Sequence, residues 1–116
     1  LLYNKITGGT TAGTPEIVDD GVVPEGQAVV GADSSIAVGS SGDVLIAYQD
    51  ATRGKARYAV GKPGGAAHTW TKKDLAVSDF AGGFNKVLAS GAKTEVLTWW
   101  RRAKPRTEGD ISIVTP

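Results

Sequence analysis

The chain has 116 residues and a mass of 12.0 kDa, with one histidine and no cysteine. That is room for a single domain around one core, and it excludes disulfides, thiolate nucleophiles and cysteine-ligated zinc or iron–sulfur centres. Apolar residues are 41% and charged residues 22%, and no apolar run approaches the ~18 residues of a membrane span, so composition reads as a soluble globular segment. The net charge of +1 conceals an asymmetry: residues 1–50 carry −6 and residues 51–116 carry +7. Such halves either pair with each other, steer a charged partner, or are separately solvated.

Short runs rich in Val, Ile, Thr, Tyr and Trp alternate with glycine-rich turns, which is the composition of strands on a pleated surface. In chain order the expected strands are 1–6, 15–19, 28–30, 34–39, 43–50, 55–61, 68–76, 84–90, 95–102 and 110–115. The turns between them are Gly8-Gly9, Ser40-Ser41-Gly42-Asp43, Gly64-Gly65, Ala81-Gly82-Gly83 and Lys104-Pro105-Arg106. No window of 11 residues repeats apolar side chains at i, i+3, i+4 and i+7 with capping signals, so almost no helix is expected. Val44-Leu45-Ile46-Ala47-Tyr48 is apolar at every position, and Val96-Leu97-Thr98-Trp99-Trp100 reads similarly. Strands of that kind are covered on both faces, which points to stacked sheets.

The chain also resembles itself. Residues 44–48 lie over 96–100 at an offset of 52, and Ser35-Ile36-Ala37-Val38 lies over Val87-Leu88-Ala89-Ser90 at the same offset. Arg57-Tyr58-Ala59-Val60 lies over Ile111-Ser112-Ile113-Val114 at 54, and Leu2-Tyr3-Asn4-Lys5 over Arg57-Tyr58-Ala59-Val60 at 55. A period near 50 with about four strands per unit is the pattern of β-propeller blades; the alternative is a β-sandwich with accidental self-similarity. On this reading the chain is one all-β segment. Residues 1–29 form the outer half of one blade, 30–79 a complete blade, and 80–116 the inner strands of the next. A propeller closes with 4–8 blades, so about two blades imply a piece of something larger: a fragment, a nicked protein, or a protomer that assembles. The start at Leu1-Leu2-Tyr3 and the lack of Met agree with that expectation.

Ser34-Ser35-Ile36-Ala37-Val38, Ser41-Gly42-Asp43-Val44, Ala47-Tyr48-Gln49-Asp50, Arg57-Tyr58-Ala59 and Thr69-Trp70 together resemble one blade of the sialidase-like propeller repeats. The Asp-box of that family, Ser-x-Asp-x-Gly-x-Thr-Trp, is matched at Pro63-Gly64-Gly65-Ala66-Ala67-His68-Thr69-Trp70 only by Thr69 and Trp70. The resemblance implies a secreted, periplasmic or cell-surface protein and a glycan as ligand. The family's arginine triad, nucleophilic tyrosine and acidic partners spread over several blades, so no catalytic role transfers to this chain.

The remaining candidates for chemistry are few. His68 has no Gly-x-Ser-x-Gly elbow to serve, and one histidine without cysteine makes no common zinc site. Asp19, Asp20, Asp33, Asp43 and Asp50 lack calcium-loop spacing; Asp43 and Asp50 sit where turns use carboxylates. Trp99, Trp100, Arg101 and Arg102 alternate on a strand, so Trp99 and Arg101 share one face, fit to stack on a sugar or grip an anion. The plainer role is blade filler, with Trp99 in place of Ala47 and Trp100 in place of Tyr48. Arg101, Arg102, Lys104 and Arg106 bracket a hairpin tip with no interleaved aromatic, which argues against nucleic acid.

The expected function is a non-enzymatic binding or scaffold module, completed by further blades or other chains, with Trp99, Arg101, Tyr58 and Asp50 as ligand-binding candidates. A binding module would hold Trp99 or Tyr58 exposed at a cleft mouth. No catalytic residue, metal, cofactor or membrane span is expected. The alternatives are part of a glycoside hydrolase and a purely structural assembly protein.

Overall fold

The computed structural model describes residues 1–77, 79–102 and 109–116. The expected turn at Lys104-Pro105-Arg106 and the basic tip it carries lie outside the described residues. The chain is all-β, in small antiparallel sheets with no helix among the described residues.

Four long strands form a meander: β7 (Val30–Val38), β8 (Val44–Asp50), β9 (Lys55–Gly64) and β10 (Ala67–Asp74), hydrogen-bonded in that order. A second meander follows, β11 (Phe80–Ser90), β12 (Lys93–Arg101) and β13 (Gly109–Val114). The first 27 residues make hairpins of short strands. β1 (Leu2–Tyr3) pairs with β4 (Glu16–Ile17), and β2 (Ile6–Thr7) with β3 (Thr11–Ala12) around Gly8 and Gly9. β5 (Val22–Val23) pairs with β6 (Gly26–Gln27). The expected strand 1–6 is thus broken in two, and no strand had been expected at 22–27.

Every residue of β8 is buried. Leu45 and Ala47 point to one face, here called the front, with Ala56 and Tyr58 of β9; the β11–β13 sheet covers it through Val87 and Val96, and Ala81 and Leu75 complete the cluster. Val44, Ile46 and Tyr48 point to the back, where Ala59 joins them and Val18, Leu1 and Tyr3 of the N-terminal segment pack. The order is therefore three layers: N-terminal hairpin, four-stranded sheet, three-stranded sheet.

Hydrogen bonds between layers carry the period of the repeat. Val87 N donates to Ser35 Oγ at 3.1 Å and Asn85 Nδ2 to the Asp33 carbonyl at 3.2 Å, both across 52 residues. Ser40 Oγ donates to the Gly91 carbonyl at 2.9 Å across 51. Equivalent segments of successive sheets thus lie directly over one another.

The ladders refine the repeat. Val30, Ala32 and Ser35 pair with Asp50, Gln49 and Ala47; Ala81, Gly83 and Lys86 pair with Trp100, Trp99 and Leu97. The same bulge recurs in both inner strands, down to the dihedrals: Gly31 and Gly82 have φ of 102° and 97°, Asp33 and Phe84 φ of 47° and 50°. The equivalences are thus Ile36 with Val87, Ala47 with Leu97, Tyr48 with Thr98 and Gln49 with Trp99, a correction of one or two residues to the offsets read from composition. On the third strand, Tyr58 corresponds to Ile113, since Ala47 pairs with Tyr58 and Leu97 with Ile113. Trp99 and Trp100 therefore do not stand where Ala47 and Tyr48 do.

The Gly82 bulge brings β11 against the β8–β9 turn region, where a Cβ would lie 2.9 Å from Gln49 Cγ and 3.0 Å from the Lys55 carbonyl oxygen. Gly65, also left-handed, has open space around it. Gly65→Ala is expected to cost only the backbone penalty of about 1 kcal/mol, whereas Gly82→Ala adds a clash and costs about 2–3 kcal/mol. Urea denaturation of the two variants measures the difference.

Candidate functional site

Two polar clusters and one apolar face stand out. The first cluster is centred on Asp19, which follows the N-terminal hairpin and lies fully buried against the back of the four-stranded sheet. Asp19 Oδ2 accepts from Tyr48 Oη at 2.7 Å and from Arg57 Nη1; Oδ1 accepts from Gly21 N at 3.0 Å and Lys72 Nζ at 2.8 Å. Arg57 also donates through Nε to Asp74 Oδ1 at 2.9 Å. Burial pushes the Asp19 carboxyl up, but the donors from Lys72, Tyr48 and Gly21 and the Arg57 charge outweigh it and hold the group at about 2. Burial and the Asp19 carboxylate push the Tyr48 phenol well above its ordinary value. The carboxylate is saturated with donors from three strands and a turn, which makes it a clasp.

The second cluster joins the same two layers nearer the hairpin tips. Glu16 Oε2 accepts from His68 N at 2.9 Å and Trp70 Nε1 at 2.8 Å, and His68 Nδ1 lies 3.0 Å from Oε1, so Nδ1 carries the proton. Tyr3 packs edge-on against His68, with ring centroids 5.2 Å apart, and tilted against Trp70 at 5.5 Å. The His68 side-chain hydrogen bond is the largest effect on the Glu16 carboxyl; with the His68 amide and Trp70 it holds the group below its usual range, although burial pushes it up. Beside this cluster runs a polar groove of about 330 Å³ between the two hairpins, bordered by Lys5, Thr7, Thr14, Glu16 and His68. His68 is thus neither a lone surface residue nor half of a triad: its Nδ1 is spent on Glu16. Repeat spacing is the signal that would have found the pair, since Glu16 and His68 are 52 residues apart.

The four ligand-binding candidates fall in different places. Tyr58 is 5% exposed in the front core, under the β11–β13 sheet, and burial raises its phenol. An exposed Tyr58 at a cleft mouth is therefore not what this fold builds; the next sheet covers it. Asp50 is fully buried and shapes the turn after β8, accepting from Arg53 N at 2.9 Å and Arg53 Nε at 2.7 Å. Trp99 and Arg101 do share a face of β12, as alternation requires. The Arg101 guanidinium stands 4.9 Å from the Phe80 ring centre. Trp99 is half-buried on the outer face of the sheet, in a shallow apolar hollow with Phe84, Lys86, Leu97 and Ile111. Trp100 turns the other way and packs on the front core.

That outer face is the third feature. It carries Phe84, Leu88, Ile111 and Ile113, each more than half exposed, around Leu97 and Trp99. Comparison with family models, with curated proteins and with solved structures finds no match to this chain. The geometry alone carries the functional reading.

The clasp fixes a pH dependence. A carboxyl held at about 2 in the folded state and near 3.9 when unfolded stabilises above the unfolded value and loses that contribution as pH falls through the folded one. Unfolding midpoints are expected to hold steady from pH 7 to 5 and to drop between pH 4 and 2, with about 2 kcal/mol of the loss due to Asp19. Asp19→Asn is expected to be destabilised by about 3 kcal/mol at pH 7, because Arg57 loses its buried partner, and to show a shallower acid slope. Chemical denaturation across that range reads both.

Proposed function

We propose that the chain is a non-enzymatic scaffold module, built of propeller-type units that stack front to back. One observation carries this reading. Ile36 and Val87 are equivalent positions of successive sheets, yet Ile36 is 56% exposed and Val87 6%. Val87 is buried because the front of the preceding sheet covers it. Ile36 and its neighbour Val38 are bare because the N-terminal segment covers the back only from Leu1, seated at Gly31 of β7, across to Tyr3 against His68 and Trp70. A two-layer sandwich turns polar faces outward; here the outermost sheet turns Leu97, Trp99, Ile111 and Ile113 outward.

Scaffolding is favoured over catalysis by what the carboxylates do. Asp19, Asp50 and Glu16 each spend their oxygens on fixed donors between strands or in a turn. It is favoured over glycan binding at Trp99 because that hollow is lined almost wholly by carbon, and a sugar needs hydroxyl partners beside the ring it stacks on. Glycan binding elsewhere, with the secreted or surface location that accompanies it, rests on the sialidase-like resemblance.

The reading is tested with a chain in which residues 30–79 are repeated once more. Stacked units add nearest-neighbour interfaces, so the longer chain is expected to unfold cooperatively at a higher denaturant midpoint. A midpoint no higher than that of the original chain, or a separate transition for the added unit, would count against stacking. Turnover of a fluorogenic sialoside by the original chain would move the reading to the glycoside hydrolase alternative.

A further inference from the structure

We infer that the polar groove between the N-terminal hairpin and the β9–β10 turn binds a small hydroxycarboxylate. The inference does not depend on how the units stack. The groove has about 330 Å³, at the small end of ligand sites, so it takes one small molecule. One wall is the N-terminal hairpin, with Lys5, Thr7, Thr14 and Glu16; the other is the turn at 64–67 and His68. That turn is made of two glycines and two alanines, so main chain and small side chains border the space on this side.

His68 gives the groove a fixed polar atom. Glu16 holds its Nδ1 proton at 3.0 Å, and the ring packs between Tyr3, with centroids 5.2 Å apart, and Trp70, at 5.6 Å. The imidazole is thus held in one orientation, and with the proton on Nδ1 its other nitrogen, Nε2, is an acceptor. Among the described residues nothing donates to Nε2, and His68 borders the groove. A ligand there must bring a donor. A hydroxyl, with one proton to give, matches that single acceptor; an ammonium group would leave donors unpaired beside Lys5. Lys5 sets the second requirement. It is exposed and has no ion pair among the described residues, so it calls for a negative charge. The Glu16 carboxylate, already holding three donors, keeps its own charge at the groove edge, so one carboxylate on the ligand is matched by Lys5 and a doubly charged anion is repelled. The hydroxyls of Thr7 and Thr14 serve the remaining oxygens, as donors or acceptors. A molecule with one carboxylate and hydroxyls on neighbouring carbons meets all of these demands.

His68 is the one histidine of the chain, so proton–nitrogen correlation spectra of imidazole rings report on this site alone. At a pH where the ring is neutral, the unliganded chain is expected to show Nε2 as the unprotonated nitrogen. Gluconate is expected to shift the Nε2 signal in the direction of a hydrogen-bonded acceptor, and to saturate. Sorbitol, which has the hydroxyls without the carboxylate, is expected to bind about fivefold more weakly, the effect of one exposed charge pair. Acetate, which has the carboxylate without hydroxyls, is expected to leave Nε2 unmoved. Lys5→Ala removes an exposed side chain, so its unfolding midpoint is expected to match the parent's while gluconate binds it no better than sorbitol does. The inference is overturned if gluconate gives no saturable shift, or if Lys5→Ala binds gluconate as tightly as the parent. It is equally overturned if acetate moves Nε2 as far as gluconate does, which would mean an adventitious anion only. None of these outcomes alters the denaturation test of stacking.

Discussion

Strand β8 must be covered twice. All seven of its residues are buried, and they alternate between two faces, so neither one neighbouring layer nor solvent on one side satisfies it. The rest of the architecture follows from that demand. The β11–β13 sheet meets the front through Leu45 and Ala47, and the N-terminal hairpin meets the back through Val44, Ile46 and Tyr48. Each covering layer is itself a sheet or hairpin with a second face. One solution of this kind therefore passes the problem outward, which is why Trp99, Ile111 and Ile113 remain uncovered at one end and Ile36 and Val38 at the other.

Much of this was legible in the sequence, and the failures have identifiable causes. An apolar residue at every position from Val44 to Tyr48 can only mean a strand between layers, and the self-similarity near 50 residues placed the second such strand. The exact equivalences were not legible, because bulges add residues without altering composition. Gly31 with Asp33, and Gly82 with Phe84, take left-handed dihedrals that shift the register of the inner strands against their partners. A shift of one residue exchanges the faces of a strand, so Ile36 reads as equivalent to Leu88 by composition and to Val87 by hydrogen bonding. The short strands at 22–27 were missed for a related reason: two-residue ladders carry no periodicity.

Of the candidate site, alternation correctly put Trp99 and Arg101 together and Trp100 behind them. Tyr58 was read as available, whereas Asp50, offered both as a ligand-binding candidate and as a turn carboxylate, does lie in the turn. Whether a Tyr is a surface group or a core group depends on whether the next sheet lies over it, and that is a property of residues 81–96. The Glu16–His68–Trp70 cluster lay hidden for the opposite reason. Its members are unremarkable locally and meet only because the repeat places one hairpin over the next.

The Asp19 clasp complements this apolar stacking. Val18, Leu1 and Tyr3 against Val44, Ile46 and Ala59 would bind a hairpin at several positions along the back, since apolar contact is not directional. A buried carboxylate is different. It is costly wherever its donors are absent, and Tyr48, Arg57, Lys72 and the Gly21 amide converge on it at one place only. A buried ion pair contributes modestly to net stability compared with an apolar pair of the same shape, so its effect here is on register.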